Sequence, residues 1–223
     1  MCIRDSHYTG NLFIDRLIEI YLWSMDRKDL ERVPKEGWIG YLEGKDAEYP
    51  TKALQADLAK VRRAVQEMND DDTTPDTRLA DYLMGFNPAV TGSLSNLTMG
   101  SYLAGNVWSL HARLRYFDPS TQRAGLPPDV AALVEKLDVD GTTVSLVNIN
   151  SVDPRTVVVQ AGGYGEHRFD SVEIDGQTQS IGGPLVTVRL APGAGARLRF
   201  RMARYVNPPS LAQPWNRGWL AKN

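Results

Sequence analysis

The fold is decided by residues 142–161, which read TTVSLVNINSVDPRTVVVQA. They contain two runs rich in β-branched residues, Thr142–Asn150 and Arg155–Ala161, on either side of the turn-forming pair Asp153-Pro154. Such runs, bounded by turn residues, are typical of β-strands. This stretch therefore predicts two neighbouring strands joined by a short turn.

Similar runs continue on both sides of this pair, separated by turns that contain Gly or Pro. The additional predicted strands lie at 110–116, 169–174, 185–190 and 197–202. Pro127–Leu137 is predicted to be a short amphipathic helix with a proline at its start. Strands at a spacing of roughly 10–15 residues predict a β-sandwich over residues 105–206.

The first half of the chain has helical spacing instead. Helices are predicted at 11–26, 38–42, 50–68 and 93–103. The helix at 11–26 is apolar almost all round, which predicts burial on several sides. The helix at 50–68 carries one apolar stripe at helical spacing, formed by Leu54, Leu58, Val61, Val65 and Met68.

Helices followed by strands define an α+β fold class. We expect an N-terminal α-helical segment (11–104), an antiparallel β-sandwich (105–206) and a Pro- and Trp-rich tail (207–223).

Composition excludes some classes of partner. The 223 residues carry a net charge of −2, without the basic excess that nucleic-acid binding requires. No run of apolar residues reaches the ~18 that a membrane-spanning helix needs. We therefore expect neither nucleic-acid binding nor membrane insertion.

The first residues of the chain are unusual. Met1–Ser6 reads MCIRDS and resembles the translated adapter sequence that contaminates sequencing reads. We expect residues 1–10 to be a non-native leader and an upstream domain of the same protein to be missing. The single cysteine, Cys2, lies in this leader, so no disulfide or thiolate site is expected.

The strand-and-turn pattern resembles the C-terminal β-sandwich of many bacterial glycoside hydrolases and polysaccharide lyases. The resemblance rests on TTVSLVNIN (142–150), PRTVVVQ (154–160), VEIDG (172–176) and LAPGAGARLRF (190–200). It covers about residues 105–206. The helical half is similar in order to the end of an (α/α) toroid that precedes such sandwiches in some of these enzymes. The resemblance implies a carbohydrate ligand and an extracytoplasmic location.

An acidic stretch contains the first candidate site. Residues 70–81 read DDDTTPDTRLAD, and two carboxyl groups across one bond are what glycosidic cleavage needs. Our candidate catalytic residues are Asp76 and Asp81, with Arg78 to orient a carboxylate or bind a sugar acid. The stretch also has oxygen ligands suited to calcium, although it lacks the EF-hand pattern. The alternative is a solvated loop whose aspartates cap the next turn.

A second candidate site lies in the turn 162–168, which reads GGYGEHR. Tyr164, Glu166 and His167 are candidate substrate-binding residues, and a glycine-rich turn between strands is the alternative. His111 and Arg113 share one face of the predicted strand 110–116 and are further candidates, against the alternative of a solvated sheet face. The tryptophans Trp108, Trp215 and Trp219 either stack on sugar or pin the tail.

Two functions remain open from the sequence. The first is the C-terminal part of a carbohydrate-active enzyme, a glycoside hydrolase or polysaccharide lyase, whose sandwich supports an upstream catalytic domain. The second is a non-catalytic carbohydrate-binding or structural module of a bacterial cell-surface protein. No nucleotide, metal or other cofactor motif stands out, so no cofactor is expected.

Overall fold

The computed structural model describes residues 13–79, 87–102 and 110–217. These residues contain five α-helices, all before residue 100. The helices are α1 (Ile14–Ser24), α2 (Arg27–Glu31), α3 (Gly37–Leu42), α4 (Tyr49–Asp70) and α5 (Gly92–Met99). The four predicted helices correspond to α1, α3, α4 and α5, and α2 is an addition.

The boundaries of the helices follow from local chemistry. Met25, in the left-handed conformation with φ 57°, ends α1, and its N–H donates to the carbonyl oxygen of Tyr21. Asp26 then starts α2, because its Oδ1 accepts a hydrogen bond from the Lys28 N–H at 2.9 Å. Pro50 lies in the first turn of α4, where its missing N–H costs nothing.

Nine strands follow within the described residues. They are β1 (Leu114–Asp118), β2 (Arg123–Ala124), β3 (Val130–Asp138), β4 (Gly141–Asn148), β5 (Arg155–Ala161), β6 (Arg168–Ile174), β7 (Gln177–Gly183), β8 (Leu185–Leu190) and β9 (Gly195–Ala203). One sheet has the order β2-β1-β5-β8 and the other β3-β4-β9-β6-β7. Every strand pair is antiparallel. The predicted α+β fold with an antiparallel β-sandwich is confirmed.

The predicted helix at Pro127–Leu137 is wrong, because most of this segment forms β3. Strand β3 pairs with β4, and the pairing shifts register between Val134 and Lys136. A bulge there turns the strand by one residue, so Val134 and Leu137 are both buried although they lie three positions apart. This spacing imitates one turn of a helix, which explains the wrong prediction.

Strand β7 also escaped sequence analysis. It is an edge strand that pairs with β6 through the Asp175-Gly176 turn, and its first four residues are exposed. An exposed edge strand needs no apolar alternation, so residues 177–180 (QTQS) carry none. The sequence there resembles a long loop.

One hydrophobic core joins the helices to the β-sandwich. It contains Leu22 of α1, Leu97 of α5, Leu114 of β1 and Phe200 of β9, all nearly inaccessible to solvent. The core is therefore continuous across the boundary predicted near residue 105.

The helices do not bury all the apolar surface that the sequence led us to expect. Helix α1 buries Leu17, Tyr21 and Leu22, but Ile20 and Trp23 are almost half exposed. It is therefore covered mainly along one side. Helix α4 buries Asp57 and Ala64, whereas most of its predicted apolar stripe is exposed. No helix among the described residues is both long and apolar enough to cross a membrane.

The tail returns over the sandwich. After β9 the chain runs to a short 3-10 helix, Pro214–Arg217, and Trp215 packs edge-on against Phe117 of β1 at a ring distance of 5.9 Å. Phe117, Val158 and Leu185 form a small second core on the face of the four-stranded sheet that the tail covers. The prediction that the tail tryptophans pin the tail holds for Trp215. Trp108 and Trp219 lie outside the described residues.

Candidate functional site

A cavity of about 370 Å³ lies where α1, the sandwich and the tail meet. Four segments form its walls: the end of α1, the residues before β1, the β5–β6 loop and the start of the tail. The residues that line it are Trp23, Leu110, His111, Tyr164, Glu166, Tyr205, Asn207 and Pro209. Most of this surface is apolar, as is usual for small-molecule pockets.

The β5–β6 loop places Glu166 in the wall of the cavity. Glu166 Oε2 accepts a hydrogen bond from the N–H of Tyr164 at 2.7 Å. The carboxylate lies over Gly162, where any Cβ would come within 2.4 Å of Glu166 Cδ. Gly162 also has φ +87°, which L side chains rarely adopt. Glycine is therefore required at 162 both for the turn and for the position of Glu166.

The tail is tied to this loop by backbone hydrogen bonds. The N–H groups of Val206 and Asn207 both donate to the carbonyl oxygen of Glu166, at 3.0 and 3.1 Å. The N–H of Ser210 donates to the carbonyl oxygen of Tyr164 at 2.8 Å. Loop and tail thus form one continuous wall.

His167 supports this wall from behind. It is almost fully buried, and its Nδ1 accepts the N–H of Tyr205 at 3.0 Å. Burial, with the nearby charges of Arg113 and Arg204, lowers the pKa of His167 to about 3. The imidazole is therefore neutral at pH 7, and its Nε2, 3.8 Å from Glu166 Oε1, forms no ion pair there. His167 acts as a hydrogen-bond acceptor for the tail.

His111 lies in the cavity wall with unused hydrogen-bonding capacity. It is 8% exposed, and its ring lies 4.9 Å from that of Trp23. Its Nδ1 is buried without a hydrogen-bond partner among the described residues. Burial, and then the charges of Arg113 and Arg204, lower its pKa to about 4, so it too is neutral at pH 7. Nδ1 itself has almost no accessible surface, so the ring meets the cavity through its other atoms.

Two arginines lie behind the lining residues. Arg113 is 1% exposed, does not line the cavity, and donates from Nη1 to the carbonyl oxygen of Asp138 at 3.1 Å. Arg204 donates to the carbonyl oxygens of Trp23 and Ser24, at 2.8 and 3.0 Å, and so joins β9 and α1. The sequence predicted a solvated face for His111 and Arg113 as the alternative to a site, and both are instead buried.

Two aromatic rings provide an open stacking surface. Trp23 and Tyr205 lie nearly parallel, with an interplanar angle of 4° and ring centroids 5.5 Å apart. They are 46% and 45% exposed. Each therefore keeps free ring surface on which a ligand can stack.

The acidic stretch lies elsewhere and forms its own network. Arg78 pairs with Asp71 at 3.1 Å, and its Nη1 also approaches Thr73 Oγ1 at 3.4 Å. Hydrogen bonds from Thr73, followed by the charge of Arg78, lower the pKa of Asp71. Asp76 is exposed, and Asp81 lies outside the described residues. The structure therefore joins Arg78 to Asp71, a residue that sequence analysis did not select.

Of the predicted substrate-binding residues, three line one cavity although they are far apart in sequence: His111, Tyr164 and Glu166. His167 and Arg113 lie directly behind them. Sequence analysis missed Trp23, Tyr205 and Asn207. The sequence offered one indication, a tryptophan near the end of a largely apolar helix, and it did not show which part of the chain the ring would face.

Glu166 is the one carboxylate among the described residues that line the cavity. Most glycoside hydrolases use two carboxyl groups on opposite sides of the bond. Within the described ranges, no group of three or more His, Cys, Asp or Glu side chains is placed to hold a metal ion.

Part of the chain matches a known family model. A family model described as a domain of unknown function (DUF8034) matches residues 21–95, from the second half of α1 into α5. No curated protein and no solved structure matches the chain. Among the described residues that line the cavity, Trp23 is the one inside the matched segment.

Proposed function

We propose that this chain is the carbohydrate-binding, C-terminal part of a carbohydrate-processing protein, and that the cavity beside α1 holds a sugar ring. The observation that carries the proposal is the cavity itself. Its half-exposed rings, Trp23 and Tyr205, lie next to the carboxylate of Glu166 and the neutral imidazole of His111. Apolar ring surface beside a few placed polar groups matches the two kinds of surface on a pyranose.

The cleavage step is assigned to a domain upstream of this chain, as in glycoside hydrolases and polysaccharide lyases whose catalytic unit precedes a β-sandwich. In that arrangement the cavity positions the glycan and the sandwich supports the catalytic domain. The acidic stretch at 70–81 is the second place where catalysis can be sought, through Asp76 and Asp81. The half-buried pair Asp71–Arg78 favours an ordered loop between residues 71 and 78.

The binding proposal is tested by titrating the protein with soluble oligosaccharides in an isothermal calorimeter. We expect at least one sugar to bind. We expect Trp23→Ala to weaken that binding at least tenfold, because it removes one stacking surface. The matched control is Ile149→Ala, an apolar residue that is 71% exposed and does not line the cavity. Its affinity should equal that of the unaltered protein.

The result that contradicts the proposal is equally definite. If no sugar in a panel of neutral, acidic and acetamido oligosaccharides binds, or if Trp23→Ala binds as well as Ile149→Ala, the cavity is not a sugar site. A thermal melt of both variants verifies that each is folded.

A further inference from the structure

A second cavity, of about 400 Å³, lies between the helices and the turn that joins β3 to β4. Tyr21 of α1 and Met25, which ends that helix, both line it. Trp23 lies between them in sequence and lines the first cavity instead. Residues two positions apart point to nearly opposite sides of a helix. The end of α1 therefore contributes side chains to two separate cavities.

Charged side chains of both signs dominate the wall of the second cavity. Three cations and three carboxylates line it: Arg27, Lys136, Arg199, Glu43, Asp138 and Asp140. Arg27 Nη1 lies 3.2 Å from Glu43 Oε2, and Lys136 Nζ lies 3.0 Å from Asp138 Oδ1. Asp140 and Arg199 pair with residues outside the cavity, at 2.9 and 4.0 Å. The charges of the wall are therefore balanced.

The hydroxyl of Tyr21 opens into this cavity. Tyr21 is 5% exposed, and its oxygen makes no hydrogen bond to a described residue. That oxygen is not among the polar atoms that are both buried and unpartnered, so it keeps accessible surface of its own. Because Tyr21 lines the cavity, this surface faces the cavity. A nearly buried hydroxyl with one open side is a group that a ligand can reach and satisfy.

This hydroxyl can donate as well as accept at neutral pH. Burial, and then the charge of Glu43, raise the pKa of Tyr21, so the phenol keeps its proton. The charge of Asp138 acts on the same hydroxyl in the same direction. Glu43 follows α3 and Asp138 ends β3. The hydroxyl therefore lies near carboxylates from both sides of the cavity.

The balanced charges disfavour an ionised ligand. An anion attracted by the three cations is repelled by the three carboxylates, and a cation meets the reverse. Neither gains enough Coulomb energy to offset the loss of its hydration. A hydroxyl group donates to a carboxylate and accepts from a guanidinium or an ammonium. Arg27 commits Nη1 alone to Glu43, which leaves its other donors open. A neutral ligand with several hydroxyl groups therefore fits this wall.

We propose that the second cavity binds a neutral sugar through its hydroxyl groups. The hydroxyl of Tyr21 and the carboxylate of Glu43 contact those groups, and Met25, Leu42 and Leu137 contact the carbon atoms of the ring. The inference rests on the proposed carbohydrate-binding function and adds a second sugar site beside α1.

The test is a titration followed by backbone amide signals in NMR spectra, which report the two cavities separately. The amides of Glu43 and Val139 report the second cavity, and those of Glu166 and Asn207 the first. The ligands are glucose, cellobiose, glucuronate and glucosamine. We expect glucose and cellobiose to shift both pairs of signals. We expect them to bind the second cavity at least fivefold more tightly than the two ionised sugars do.

Two variants test the assigned contacts. Tyr21→Phe removes the hydroxyl alone and should weaken binding at the second cavity about fivefold, which is what one hydrogen bond contributes. Binding at the first cavity should not change. The matched control is Tyr41→Phe, because Tyr41 lies on α3 and lines neither cavity. Glu43→Gln leaves Arg27 without its carboxylate and should shift the preference of the second cavity toward glucuronate roughly fivefold.

The outcomes separate this inference from the proposed function. If the signals of Glu43 and Val139 stay in place while those of the first cavity shift, the second site is refuted and the proposed function stands. Equal or tighter binding of glucuronate or glucosamine at the second cavity refutes the neutral ligand. If no signal at either cavity shifts with these sugars or with the wider panel, both proposals fail.

The variants have outcomes of their own. Equal affinity in Tyr21→Phe and Tyr41→Phe refutes the contact with Tyr21, and an unchanged preference in Glu43→Gln refutes the charge argument. Thermal melts verify that each variant is folded. If a variant does not fold, the comparison of the four sugars in the unaltered protein decides the question.

Discussion

Arg113 is a buried cation without a carboxylate partner among the described residues, and its replacement should stabilise the protein. Its side chain makes one hydrogen bond, from Nη1 to the carbonyl oxygen of Asp138, while Nη2 is buried without a partner among those residues. Burial, and then the charge of Arg204, lower the pKa of Arg113 to about 10, well below the usual range of a guanidinium. At about 1.4 kcal/mol per pKa unit, burial of the charged guanidinium lowers the stability of the folded state by roughly 3 kcal/mol.

Arg113→Met keeps the packing of the aliphatic stem against Gly100 and removes both the charge and the unpaired nitrogen. Loss of the hydrogen bond to the carbonyl oxygen of Asp138 offsets about 2 kcal/mol of that gain, since hydrogen bonds from charged groups contribute roughly 1.5–3 kcal/mol. The net expectation is a gain of about 1 kcal/mol in the free energy of unfolding. In a protein of this size that raises Tm by roughly 2–4 °C.

The assay is urea unfolding at pH 7, followed by tryptophan fluorescence, for the unaltered protein, Arg113→Met and Arg113→Ala. Arg113→Ala loses the stem as well and should be less stable than Arg113→Met by about 2 kcal/mol, because it leaves a cavity. A second readout is the NMR titration of His111 and His167, whose pKa values should rise in Arg113→Met. If Arg113→Met is destabilised by 2 kcal/mol or more, the charge is compensated and our reasoning is refuted.

Two other predictions concern pH and the loop beneath Glu166. His111 and His167 have folded pKa values of about 4 and about 3, below the ~6.5 of an unfolded chain, so the unfolded state binds the protons that the folded state excludes. Their contribution to stability is complete above pH 6.5 and falls as the pH drops, by on the order of 5 kcal/mol at pH 4.5. Urea unfolding above pH 6.5 and at pH 4.5 tests this. His111→Phe should remove about half of the change in unfolding free energy between these conditions, and an unchanged pH dependence in that variant would contradict the prediction. Gly162→Ala should cost about 1–2 kcal/mol for its positive φ and displace Glu166, which weakens sugar binding at least tenfold. Gly176→Ala, with φ +76° and open space around it, should cost similar stability but leave the affinity intact, and equal affinity in both variants would show that Glu166 does not contact the ligand.

Local patterns account for most of the fold that was predicted. Strand β5 was predicted with its observed ends, and α4 to within two residues at each end, because each has a sequence pattern matched to its period. The prediction for β3 was wrong because a bulge between Val134 and Lys136 breaks the alternation of buried and exposed residues along the strand. β7 failed since an edge strand open to solvent needs no apolar side chains. In both places the pairing with another strand determines the structure, and the local sequence pattern does not predict that pairing.

For the same reason, the sequence predicted some of the residues that line the cavity and missed others. Glu166 and Tyr164 stood out because a glycine-rich turn with polar residues is visible over seven positions. Trp23 and Tyr205 were missed because they meet across about 180 residues of chain, through contacts such as Arg204 with the carbonyl oxygen of Trp23. No spacing rule joins the end of a helix to the segment after the last strand.

The hydrogen bonds between the tail and the loop allow opening of the cavity to be measured by amide hydrogen exchange. The backbone amides of Tyr205, Val206, Asn207 and Ser210 all donate to residues of the β5–β6 loop. If the tail lifts as a unit, these four amide protons exchange with deuterium at one common rate. That rate measures how often the wall comes away in the absence of any sugar, and a ligand that needs the closed wall slows all four together.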